Sequence, residues 1–89
     1  MKITVRYFAS VREQLGASEA CSWQADALAD APRTVGDLRA WLTQRSTAHA
    51  QALGASKALR MAFNQTLCGA DQALADGAEV AFFPPVTGG

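Results

Sequence analysis

The residues on which catalysis and metal binding most often depend are scarce in this chain. Its 89 residues include one histidine, His49, and two cysteines, Cys21 and Cys68. The cysteines lack C-x-x-C spacing, so zinc would have to be held by carboxylates or by two thiols far apart in sequence, and no metal site is expected. They read as free buried thiols of a reducing compartment, with a disulfide between them as the alternative. The phosphate-cradling patterns GxGxxG and GxxxxGK are missing, and so is GxSxG. A Ser/His/Asp triad would have to recruit His49 from an alanine-rich segment with no nucleophile motif beside it. His49 is therefore expected to be solvated or a capping residue. Cys68 reads either as a nucleophile or as an inert strand thiol, and Arg12 with Glu13 as a surface ion pair.

No charge of one sign is in excess, since eight basic side chains balance eight acidic ones. Neither nucleic acid nor an anionic membrane is thus expected as the main partner. No apolar run approaches a membrane span, and "MKITVRYFAS" lacks the core of a signal peptide, so a cytoplasmic protein is expected.

What the sequence does have is a hydrophobic content of 49% against 18% charged residues, enough for one modest core and one domain. "KITVRYF" alternates, placing Ile3, Val5 and Tyr7 on one face of a strand and Lys2, Thr4, Arg6 and Phe8 on the other. "ASVREQLG" predicts a short helix stopped at Gly16. "EACSWQA" is a weaker strand and "ADALADAP" an ambiguous loop before Pro32. In "TVGDLRAWLTQR", Thr34 caps a helix whose apolar stripe is Val35, Leu38 and Leu42, with Trp41 beside it. "STAHAQALGAS" reads as a loop with one helical turn before Gly54. "LRMAFNQTLC" gives two strands broken near Asn64-Gln65, Asp76-Gly77 a tight turn, and "EVAFF" the last strand. The economical solution is an α+β domain over residues 1–83, a mixed sheet of about four to five strands with one main helix on one face. The β-grasp (ubiquitin-like) architecture meets that description, as other small α+β folds do.

Residues 84–89, "PPVTGG", form an expected extended tail. Pro84 and Pro85 donate no backbone hydrogen bond, end sheet pairing and stiffen the exit. Val86 and Thr87 favour extended backbone, while Gly88 and Gly89 fit a slot too narrow for a side chain. Six residues at about 3.3 Å each reach on the order of 20 Å, far enough to enter another protein's active site. A frayed terminus is the alternative. Phe8 and Phe83 lie out of phase with the core-facing Val80 and Phe82. They are either covered by a loop or the short helix, or form an aromatic patch that docks a partner at the root of the tail.

The segments "VRYFASVREQLG", "TVGDLRAWL", "FNQTL" and "DGAEVAFFPPVTGG" together resemble the MoaD family, the small sulfur-carrier subunits of molybdopterin synthase. The resemblance spans essentially the whole chain, and its most specific block is the last. It implies a β-grasp fold and a non-catalytic, sulfur-donating role in molybdenum cofactor biosynthesis. It further implies that Gly89, preceded by Gly88, is adenylated with ATP by a ubiquitin-activating-like enzyme (MoeB-like). The product is a C-terminal thiocarboxylate that gives sulfur to cyclic pyranopterin monophosphate, and no cofactor is permanently bound. A MoaE-like large subunit is the implied partner, in a heterotetramer of two small and two large subunits. Family contacts carried over by position fall on Phe8, Leu67 and Phe83, on the tail residues Pro84, Pro85, Val86 and Thr87, and on Arg12 in "VRE". A carrier for another pathway, such as thiazole synthesis, and a ubiquitin-like protein modifier are the rival readings.

Overall fold

Strand β1 (Lys2–Tyr7) buries every second side chain, so Ile3, Val5 and Tyr7 enter the core while Lys2, Thr4 and Arg6 stay outside. The computed structural model describes residues 1–85 of the chain. Helix α1 (Ala9–Leu15) follows at once, buries Val11, and stops where Gly16 takes a positive φ of 91° that a side chain would disfavour. Strand β2 (Ser18–Ser22) returns antiparallel to β1, with Cys21 inward. It starts one residue and ends three residues earlier than the sequence pattern suggests. The stretch read as an ambiguous loop is a 3₁₀ helix, Ala25–Asp30.

Helix α2 (Val35–Thr43) forms as its cap and stripe require. Thr34 Oγ1 accepts from the Asp37 amide at 3.0 Å, and Val35, Leu38 and Leu42 are buried. The loop-with-a-turn expected next is instead helix α3 (Thr47–Leu53), two turns long. Ser46 caps it by accepting from the His49 amide at 3.1 Å, and its alanines are strong helix formers. Ala52 and Leu53 anchor it in the core. Arg39 of α2 fastens its end, donating to the carbonyls of Leu53, Gly54 and Lys57 at 2.7–2.8 Å.

Strands β3 (Arg60–Phe63) and β4 (Thr66–Cys68) make a hairpin whose two-residue turn, Asn64-Gln65, has positive φ at both positions. That is the backbone which matches strand twist in two-residue hairpins. Asn64 also pins the turn to the last strand, its Oδ1 accepting from the Glu79 amide at 2.9 Å. Strand β5 (Glu79–Phe83) enters after the Asp76-Gly77 turn, where Gly77 has φ 83°. It runs parallel to β1 and antiparallel to β3.

The sheet order is β2-β1-β5-β3-β4. The helices cover one face, and the core lies between them and Ile3, Val5, Tyr7, Val80 and Phe82. Among the described residues this is the mixed, five-stranded β-grasp sheet with three helices and a 3₁₀ helix, where the sequence predicts the short helix after β1 and one main helix. Among the described residues its other face has no helix against it. That open face and the far ends of β1 and β5 set the position of the site.

Candidate docking site at the root of the tail

Because β1 and β5 are parallel neighbours in register Tyr7↔Phe82, their next residues, Phe8 and Phe83, emerge side by side. The Phe8 amide donates to the Phe82 carbonyl at 3.3 Å, which extends the ladder to that point. Ala9 then takes a φ of 54°, unusual for a residue with a side chain, and turns the chain into α1. Phe8 itself stays extended and is 39% exposed. The two rings meet edge to face, with centroids 6.4 Å apart and planes at 86°. With Ala9 and Pro84 they line an open apolar hollow of about 370 Å³ where the chain leaves the sheet.

The surrounding face is set by register. Arg6, Ala81, Ala62 and Leu67 stand opposite one another in a row across β1, β5, β3 and β4. All four project on the open side, as Phe83 does two residues beyond Ala81. Leu67 is 67% exposed at the outer strand. Arg6 holds its guanidinium 5.5 Å from the Phe8 ring centroid and lies 3.9 Å from Glu79. Phe8, Leu67 and Phe83 therefore share one face. Pro84 and Pro85 follow half-buried.

Arg12 is exposed on α1 and forms no ion pair with Glu13; among the described residues the ion pairs involve Arg6, Arg45 and His49 only. The reason is that the residues of α1 around Val11 turn outward into solvent, where two adjacent side chains on a helix do not face each other. Val86, Thr87, Gly88 and Gly89 lie outside the described residues.

A second, polar cluster was not legible in the sequence. Glu19 on β2 accepts from the Tyr7 hydroxyl at 2.7 Å and from Arg45 at 2.8 Å, and meets His49 Nε2 at 2.8 Å. His49 is thus not solvated. It sits at the capping turn of α3, its Nδ1 2.7 Å from Ser46 Oγ, and ties that helix to β2. Burial works against the Glu19 charge, yet hydrogen bonds from His49 and Tyr7 and the nearby positive charges outweigh it and hold the carboxyl below its usual range. Burial, reinforced by Glu19, pushes the Tyr7 phenol far above its ordinary value. Burial also raises both thiols, helped by Glu19 at Cys21 and by Asp71 at Cys68. Both cysteines are free, Cys21 buried and Cys68 half-buried, and protonated thiols are poor nucleophiles. Among the described residues, no group of three metal-ligating side chains occurs and no helix is long and apolar enough to cross a membrane.

At the tail root converge two aromatic rings, a proline and a guanidinium. That is a chemistry of recognition rather than of proton transfer. Comparison with known proteins shows what the whole chain is similar to. A model of the ThiS family matches residues 5–89. The molybdopterin synthase sulfur carrier subunit of Escherichia coli is 47% identical over 87 residues, covering 98% of this chain and 99% of that one. Among solved structures, the protein–protein complex of subunits 1 and 2 of molybdopterin-converting factor from Helicobacter pylori contains a chain similar over the full length of both, with TM-score 0.66 and 27% identity. SAMP1 from Haloferax volcanii is similar over the full length of both chains as well, with TM-score 0.70 and 25% identity.

Proposed function

The chain belongs to the ThiS family, and from that premise we propose that it is the sulfur carrier subunit of a molybdopterin synthase. The observation that carries this reading is the end-to-end match, at 47% identity, to a subunit of that name. The exposed Phe8–Phe83 pair at the tail root supports it, because a carrier needs a grip on its partner beside the arm it delivers.

In this role the Gly89 carboxylate is the reacting group. A carboxylate is a poor electrophile. Its oxygen attacks the α-phosphorus of ATP on an adenylating, MoeB-like enzyme, expelling pyrophosphate and leaving an acyl-adenylate with a good leaving group. Hydrosulfide from a sulfur donor then displaces AMP and loses its proton, and a thiocarboxylate remains. The thiocarboxylate sulfur is soft and nucleophilic. Held on the Pro84-Pro85 arm inside a large subunit, it is positioned against cyclic pyranopterin monophosphate, and positioning supplies much of the rate. A dithiolene holds two sulfurs, so two loaded carriers are consumed per product, in keeping with two small and two large subunits. Gly88 lets the end thread a narrow channel. Phe8, Leu67 and Phe83 dock on the large subunit, with Val86 and Thr87 inside it and Arg12 at the margin. No catalytic side chain is required of this chain, and the chemistry belongs to the cytoplasm.

The experiment is intact-mass measurement after incubation with the adenylating enzyme, ATP and a sulfur donor. A species heavier by one oxygen-to-sulfur exchange, localised to Gly89, is expected. Its failure to form would sink the reading. Isopeptide adducts to lysines in its place would favour a protein modifier.

A further inference from the structure

The open sheet face carries two arginines that an apolar docking patch does not need. Arg60 is paired in register with Phe83 and so projects on the same side, next to the apolar hollow. It is exposed, and among the described residues no carboxylate lies within ion-pair distance of it. Arg6, on the same face, is already engaged by Glu79 at 3.9 Å and by the Phe8 ring. Eight basic and eight acidic side chains cancel over the whole chain, so the positive sign here is a local property of this face.

We propose that Arg60, seconded by Arg6, is the charged rim of the docking face, and that its occupant is a protein surface with an apolar side chain to enter the hollow and a carboxylate opposite Arg60. On the reading above, on which this inference rests, that surface belongs to the synthase large subunit. Charge complementarity selects the occupant. An apolar centre with an unpaired positive charge at its edge matches a partner of the same build with a negative charge there. The hollow between Phe8 and Pro84 accepts one apolar side chain, and the 67% exposed Leu67 adds an apolar contact at the outer strand. Flexible phosphate backbones would leave both without a partner.

A rim charge acts mainly on the rate of encounter and is screened by salt, which separates it from a packing contact. The test is association kinetics between the full chain and the large subunit of the same organism, at low and at high salt. Arg60→Glu should slow association about tenfold at low salt, with Arg60→Ala intermediate, and the difference should largely vanish at high salt. An unchanged thermal midpoint checks that the variant is folded. Arg60→Glu associating at the native rate at low salt would overturn the proposal, and so would a loss of the same size at both salt concentrations. A single-stranded oligonucleotide bound as tightly as the large subunit would overturn it too. Wild-type chain that fails to bind the large subunit at any salt would instead remove the carrier reading itself.

Discussion

Replacing Glu19 with glutamine changes almost no volume but removes the negative charge on which three other segments converge. The three side chains that meet the carboxylate are arranged as donors: the Tyr7 hydroxyl and His49 Nε2 at one oxygen, and Arg45 at the other. Glutamine offers one oxygen and one amide. If the oxygen keeps Tyr7 and His49, the amide confronts Arg45, donor against donor. The Arg45 side chain is 41% exposed and can swing into water, so that loss is limited to under about 1 kcal/mol. The other two contacts drop from charge-assisted to neutral, at about 0.5–1 kcal/mol each. The total is about 2 kcal/mol, which for a domain of this size lowers the thermal midpoint by roughly 10 °C. The loss should depend on pH with a definite sign. Because the folded state holds the Glu19 carboxyl below its usual range, its stabilisation is present above the ordinary glutamate pKa and is lost as pH falls through the depressed folded value. Urea unfolding of both proteins, from neutral pH down to about pH 3, should give a full difference at neutrality and a shrinking one below about pH 4. A difference that stays constant over that range, or is under about 0.5 kcal/mol at neutrality, would refute the assignment of Glu19 as the hub.

Tyr7 is the only tyrosine, so the phenolate absorbance band reports on it alone. Its raised folded-state value means that stability is full below the unfolded pKa of about 10 and falls as pH rises beyond it. The band should therefore grow together with loss of the far-ultraviolet circular dichroism, and phenolate in a still-folded protein would contradict the burial argument. Ala9→Gly should raise stability by about 0.5–1 kcal/mol in urea unfolding, since glycine removes the cost of a positive φ and returns part of it as backbone entropy. A destabilised variant would mean that the turn after Phe8 is not held as described. Leu67→Ala should change stability by less than about 0.5 kcal/mol, because the side chain is 67% exposed, yet weaken binding to the large subunit by about 2 kcal/mol in calorimetric titration. The reverse pattern would make Leu67 a packing residue.

Why some of this was legible in the sequence and some was not follows from the range of the forces involved. Strand β1 and helix α2 each bury one face only, and one-sided burial writes its period into the chain. The same alternation exposed Phe8 and Phe83, since an aromatic residue out of phase with the core is a local anomaly. Helix α3 left no such trace. Alanine fills both its faces, so the contrast between sides is weak, and its one readable mark was Ser46 three residues before His49. Leu67 sits on a three-residue strand, too short for a period, and only the resemblance singled it out. The Glu19 cluster is the extreme case. Its partners lie 12, 26 and 30 residues away, on β1, after α2 and on α3, and nothing beside any of them in the chain points to the others. No local pattern encodes such a meeting; the fold makes it. The consequence for function is a division of labour. Residues that hold the domain together from a distance are hidden from sequence reasoning, whereas those that must face a partner break the local pattern and can be read there.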